Sequence, residues 1–117
     1  MLENKKQIGE VSNVPAAKEL LRNRLGELAK QYGYTFNRVF IRQQKTRWGS
    51  CSAKNNINLN LKLVLLPARL MDYVIMHELV HTRHKNHGPL FWEELDRITG
   101  NAKGLSKKVK SIGAGLL

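Results

Sequence analysis

His77-Glu78-Leu79-Val80-His81 reads H-E-x-x-H, and it falls inside a stretch that apolar spacing alone marks as a helix. Pro67 suits the first turn, Leu70, Tyr73, Val74, Leu79 and Val80 recur at helical intervals, and the pattern runs to about Arg83. Residues four apart on a helix stand one above the other, so both imidazoles can face a single ion, each nitrogen about 2.0 to 2.1 Å from zinc. Glu78 is rotated about 100° from His77 on the helix. There its carboxylate can reach a water molecule beside the ion without being a ligand, which is the position of a general base. Random placement of residues gives this pattern in about one chain of such composition in a hundred. Closed structural zinc sites usually include cysteine, and this chain has only Cys51.

A catalytic zinc usually takes three protein ligands, so a third must be found. The candidates are His84, His87 and a carboxylate from Glu93 or Glu94. A continuing helix would put His84 on the right face but about 10 Å along the axis from His77, so it reads instead as a surface imidazole near a helix C-terminus. His87 follows Lys85-Asn86 and precedes Gly88-Pro89. Asn and Gly tolerate the left-handed backbone that turns a chain back, so a reversal here is expected to return His87 to the ion. Glu94 or Glu93 stays the main rival, since His-His-Glu sites also bind zinc.

Working outward, Asn13 can cap and Pro15 can open an amphipathic helix that carries Ala17, Leu20, Leu21, Leu25, Leu28, Ala29 and Tyr32 and stops at Gly33. Phe36, Arg38, Phe40 with Val39 and Ile41 alternate as a strand. Residues 47–52 and 56–61 follow as a hairpin around Lys54-Asn55-Asn56. A last helix starts near Pro89, carries Leu90, Phe91, Leu95 and Ile98, and ends at Gly100. The order α, β, β, β, α, α predicts an α+β domain with a short antiparallel sheet under helices, since hairpins need no crossover. Residues 103–110 hold four lysines and no acid and carry no assignment.

A chain of 117 residues and 13.4 kDa fits one domain, expected to span residues 1–117. Its 42% apolar and 25% charged residues suit a packed globular protein. With 20 Lys+Arg against 9 Asp+Glu the formal charge is +11, so nucleic acid or nucleotides are candidate partners through a basic surface. Met1-Leu2-Glu3-Asn4-Lys5-Lys6 lacks the apolar core of a secretory signal, and the run Leu63-Val64-Leu65-Leu66 ends at Pro67, far short of the roughly 20 residues that span a bilayer. With a single cysteine, a cytoplasmic, reducing setting is expected, without membrane insertion. Nothing in the sequence sets the oligomeric state.

Arg47-Trp48-Gly49-Ser50-Cys51-Ser52, Ile57-Asn58-Leu59-Asn60, Leu66-Pro67, Asp72-Tyr73-Val74-Ile75, the H-E-x-x-H run, and Asn86-His87 with Phe91-Trp92 together resemble the YgjP-like metal-dependent hydrolases. These are zincins related to the SprT-like and WLM peptidases. The resemblance covers about residues 41–92. It implies a small zincin-like domain in which His77, His81 and His87 bind Zn2+ and Glu78 is the catalytic base. The segment His87-Gly88-Pro89-Leu90-Phe91 also resembles the third-ligand segment of SprT-like proteins, which favours His87 over Glu94. Members of the family usually carry a longer region before the first helix, so part of a substrate-binding surface is expected to be missing. The metzincin branch does not fit, because His84 occupies its glycine position and no methionine follows Met76.

Arg47 is the candidate to stabilise charge on a transition-state oxyanion, against the plainer reading that its stem packs on Trp48 or that it makes a surface ion pair. Trp48, Phe91 and Trp92 read as packing residues and Cys51 as a small buried hydrophobe. Asp72, Glu93 and Asp96 are candidates to orient a ligand imidazole. The leading expectation is a zinc metallopeptidase acting on a peptide or protein substrate. The alternatives are a zinc-dependent nucleoside triphosphate hydrolase and a non-catalytic basic nucleic-acid-binding module with a structural zinc.

Overall fold

A computed structural model describes residues 10–117; residues 1–6, read above for export, lie outside the described residues. Helix α1 (Val14–Tyr32) begins where the Asn13 side chain accepts a hydrogen bond from the Ala16 N–H at 3.1 Å, satisfying one of the donors a helix start leaves free. It ends at Gly33, whose φ of 77° is the left-handed cap that only glycine adopts without cost. Ala17, Leu21, Leu25 and Leu28 are buried on its inner face.

Strands β1 (Val39–Arg42), β2 (Gly49–Cys51) and β3 (Ile57–Asn60) form one sheet in the order β1-β3-β2. The hairpin partners β2 and β3 are antiparallel, with Gly49 opposite Leu59 and Cys51 opposite Ile57. Asn55 makes the turn with a φ of 62°, a conformation its short polar side chain tolerates. The wholly antiparallel sheet expected from the sequence does not form. β1 pairs with β3 in parallel, Val39 opposite Ile57. The chain leaves β1, passes the central position to lay down β2 as an edge, and returns with β3 between them, so the sheet is mixed. The buried Asn60 side chain clamps that passage by donating to the Gln44 and Arg47 carbonyls, both at 2.9 Å.

After a short 3-10 turn (Leu61–Leu65), helix α2 (Ala68–His81) runs through the centre of the molecule. It touches β2, α1 and the two later helices, and ten of its residues are buried, including Leu70, Ile75, Leu79 and Val80. Each such aliphatic side chain contributes roughly 1.5 to 3 kcal/mol. Arg24 on α1 grips Asp72 on α2 with two parallel bonds, 2.8 and 2.7 Å. Helix α3 (Pro89–Thr99) ends at Gly100, and α4 (Ala102–Gly113) takes up the unassigned basic stretch. Asn101 caps α4, the Asp96 carboxylate accepts from the Ala102 N–H at 2.9 Å, and Ala102, Leu105, Val109 and Gly113 face inward. Among the described residues no helix is long and apolar enough to cross a membrane.

Candidate metal centre

Helix α2 delivers His77 and His81 on one face, and the residues after it turn back at once. Thr82 Oγ1 donates to the Leu79 carbonyl at 2.6 Å, while the N–H groups of Arg83 and His84 both reach Val80 O at 3.0 Å. The reversal brings His87 to the other two histidines. Contrary to expectation, no left-handed residue makes it: Gly88 has φ −81°, and among the described residues positive φ occurs only at Asn55, Gly33 and Gly100. The helix simply ends in tight hydrogen-bonded turns, and the extended Gly88 feeds Pro89 into α3.

One potential ligand atom from each of His77, His81 and His87 lies within 4.8 Å of the others. His81 Nδ1 is 2.8 Å from the His84 carbonyl oxygen, which can only accept, so the proton sits on Nδ1 and the Nε2 lone pair faces inward. That Nε2 is 2.9 Å from His87 Nε2. Two nitrogens on one tetrahedral zinc stand roughly 3.3 Å apart, so an all-nitrogen trio at this spacing fits such an ion after small side-chain shifts. Burial lowers the His81 pKa and so favours the neutral, ligand form, although the His84 carbonyl and Glu78 pull the other way. Phe91, fully buried, floors the cluster. Its ring stacks on His81 at 4.5 Å and meets His77 and His87 edge-on at 5.0 and 4.8 Å.

Glu78 lies beside the trio, against Gly49 of β2, and is 4% exposed. Its Oε2 lies 3.3 Å from His77 Nδ1. Gly49 gives it room: a Cβ there would sit 3.1 Å from Glu78 Cγ, from Oε2 and from the Asn58 carbonyl. Sequence reading saw Gly49 only as part of a strand and missed this role. Arg47 is exposed at the rim of the same cleft and makes no side-chain ion pair among the described residues, so of its plainer readings the ion pair is absent.

The rival and supporting carboxylates lie elsewhere. Glu94 accepts from the Tyr34 hydroxyl, from His84 Nε2 at 3.1 Å and from Arg83 at 3.3 Å. Burial alone would raise its pKa, but these partners outweigh it and hold the carboxylate below its ordinary value. Asp72 is engaged by Arg24, Asp96 holds the start of α4, and Glu93 is exposed. The imidazole-orienting group that sequence reading sought among side chains is the backbone carbonyl of His84. Lys85 straps the His87 loop to the hairpin by donating to the Ser52 carbonyl at 2.9 Å and to the Asn55 side chain. Cys51 borders the cleft, but burial pushes its thiol pKa up against the pull of Lys85, which leaves it the inert form.

The family model of the YgjP-like metallopeptidase domain matches residues 3–112. The chain belongs to the YgjP-like family. This YgjP-like chain therefore matches over nearly its whole length, beyond the stretch where the motifs gave the resemblance, and α1 and α4 belong to the matched domain. The crystal structure of the metallopeptidase zymogen of Pyrococcus abyssi abylysin is similar, with a TM-score of 0.67 at 26% identity, covering 78% of this chain and 92% of that one. The metallopeptidase zymogen of Methanocaldococcus jannaschii jannalysin shares the fold, with a TM-score of 0.64 at 24% identity over 76% of this chain and 92% of that one. No curated protein matches. This YgjP-like domain is thus a metal-dependent peptidase by family, on a zincin-like α+β fold with a three-stranded mixed sheet.

Proposed function

We propose that the chain is a zinc peptidase in which His77, His81 and His87 hold the ion and Glu78 is the general base. The observation that carries this reading is the convergence of three imidazoles beside a buried carboxylate seated on Gly49. Zinc, when bound, polarises the scissile carbonyl and lowers the pKa of water toward about 7. Glu78 takes a proton from the attacking water and delivers it to the departing amine nitrogen, so the bond breaks without a covalent enzyme intermediate. Its burial keeps that carboxylate from being lost to bulk solvent. β2 is the sheet's edge beside the cleft, so an extended substrate can add to it by main-chain hydrogen bonds. Arg47 at the rim supplies positive charge toward the carbonyl oxygen.

The test is metal analysis of wild type beside His87→Ala, Glu94→Ala and Glu78→Gln, with casein and nucleoside triphosphates as substrates. Zinc is expected to be lost in His87→Ala and kept in the two glutamate variants, and casein cleavage to disappear in Glu78→Gln. Loss of zinc only in Glu94→Ala overturns the ligand set. Turnover of triphosphates alone overturns the peptidase in favour of a nucleotide hydrolase, and equal activity in Glu78→Gln removes the base.

A further inference from the structure

The cleft that holds His77 and Glu78 opens on the α4 side into a second cavity of about 210 Å3, and the two share Gly49, His77 and Glu78 as a common border. Trp48 forms one wall, Tyr73 and Val74 of α2 a second, and Ser106, Val109 and Lys110 of α4 a third. The Trp48 wall is built rather than incidental. A Cβ on Gly113 would lie 2.6 Å from Trp48 Cζ2 and 2.9 Å from Nε1, so the missing side chain lets the indole approach α4 this closely. Tyr73 stands one turn before His77 on the same helix face and is 3% exposed.

We infer that this cavity receives the side chain of the substrate residue flanking the bond that is cut, and that it selects a large apolar one such as Leu, Met or Phe. The inference rests on the peptidase reading above. On the same measure a single water needs about 10 to 15 Å3, so a volume of about 210 Å3 has room for a side chain as large as Leu, Met or Phe and far more than a methyl fills. Trp48, Val74 and Val109 offer carbon to that side chain. Lys110 at the rim disfavours a basic residue, and the buried Glu78 carboxylate at the shared border disfavours an acidic one. A small residue would leave the space unfilled and lose its contacts. Trp48 and α4 thus become specificity-determining parts, and the lysine-rich segment acquires an inner face with a use.

Two arms test this. Zinc-loaded protein is given a peptide library, and the residues flanking each cut are read by mass spectrometry. In parallel, Trp92→Phe leaves Trp48 as the sole tryptophan, and its emission is followed while blocked peptides carrying Leu, Phe, Ala, Lys or Glu are titrated with and without zinc. Large apolar residues are expected at one fixed flanking position, cleaved at least about tenfold faster than Ala, Lys or Glu, and the same peptides shift Trp48 emission. Ser106→Leu, which fills the cavity, should move the preference toward Ala; Val109→Ala, which widens it, should move the preference toward Trp. Cleavage without a flanking preference, or with one that neither variant changes, overturns the pocket and leaves the peptidase standing. No cleavage, with apolar peptides still bound at Trp48 and weakened by Ser106→Leu, overturns the peptidase and keeps the pocket. Neither cleavage nor selective binding overturns both.

Discussion

The main chain at Gly49 lies so close to the Glu78 carboxylate that a single added carbon would come within 3.1 Å of its Cγ and Oε2. The strand presents no side chain here, and the acid occupies the place one would take. Gly49→Ala must therefore push the carboxylate aside by a few tenths of an ångström or bend the β2–β3 ladder, since the Asn58 carbonyl is equally near. We expect about a tenfold or greater fall in kcat, because misplacement on the ångström scale costs on the order of 100-fold. Zinc content should stay at wild-type level, since the three imidazoles, and not residue 49 or Glu78, are the ligands proposed. An unchanged kcat in a folded Gly49→Ala protein would refute the role assigned to this glycine.

The elements that are decided locally could be read from the chain alone. Asn13 and Gly33 bracket α1 by cap chemistry, and the spacing of Leu70, Tyr73, Val74, Leu79 and Val80 marks α2. The pairing of β1 could not be read so, because nothing within residues 39–42 states which strand will lie beside it; the order β1-β3-β2 is settled by distant contacts such as Asn60 with Gln44 and Arg47. Helix α4 did leave a signal. Ala102, Leu105, Val109 and Gly113 recur at three and four after the cap Asn101, but the four lysines on the other face dominated the composition. The convergence of His87 was anticipated for a partly mistaken reason, since the turn uses no left-handed residue. A carbonyl such as that of His84 has no signature in sequence at all, because every residue carries one.

Phe91 is the common floor of the three imidazoles and is fully buried. Replacing it by Ala should cost about 3 to 5 kcal/mol of stability through lost contacts and a cavity. Phe91→Leu keeps most of the volume but loses the flat ring under His81. That variant should remain folded and bind zinc about 10-fold more weakly, in line with other changes just behind the ligands. Competition with a chromogenic chelator measures this, and wild-type affinity in Phe91→Leu would show that the ring only fills space.

Asp72 lies on the metal-binding helix, but its carboxylate is spent on Arg24. Asp72→Asn should leave zinc affinity and kcat within about twofold of wild type. Stability should fall by only about 1 kcal/mol, because both partners are partly exposed to solvent, with side chains 35% and 20% accessible. Thermal unfolding and metal titration separate the two effects. A large loss of zinc affinity would mean that Asp72 orients an imidazole after all.

Glu94 ties α3 to the end of α2 through His84 and Arg83 and to Tyr34 after α1. Its pKa in the folded chain lies below the ordinary value of 4.5, so folding favours the charged form. For a carboxylate shifted in that direction the stabilisation is complete above the unfolded-state value and is lost as the pH falls through the folded-state value. Wild type should therefore exceed Glu94→Gln by about 1.5 to 3 kcal/mol at pH 7, the range for hydrogen bonds to a charged group, and the gap should narrow as the pH falls below the ordinary carboxylate value and through the lower folded-state one. Urea unfolding of both metal-free proteins at a series of pH values measures it, with chelator present so that zinc release does not contribute. Tyr34→Phe should reduce the same gap, because the phenol is one of the donors holding the charge, and its own pKa is raised by burial and then by Glu94. A difference that is constant from pH 7 to pH 3 would place the effect in packing rather than in the carboxylate's charge.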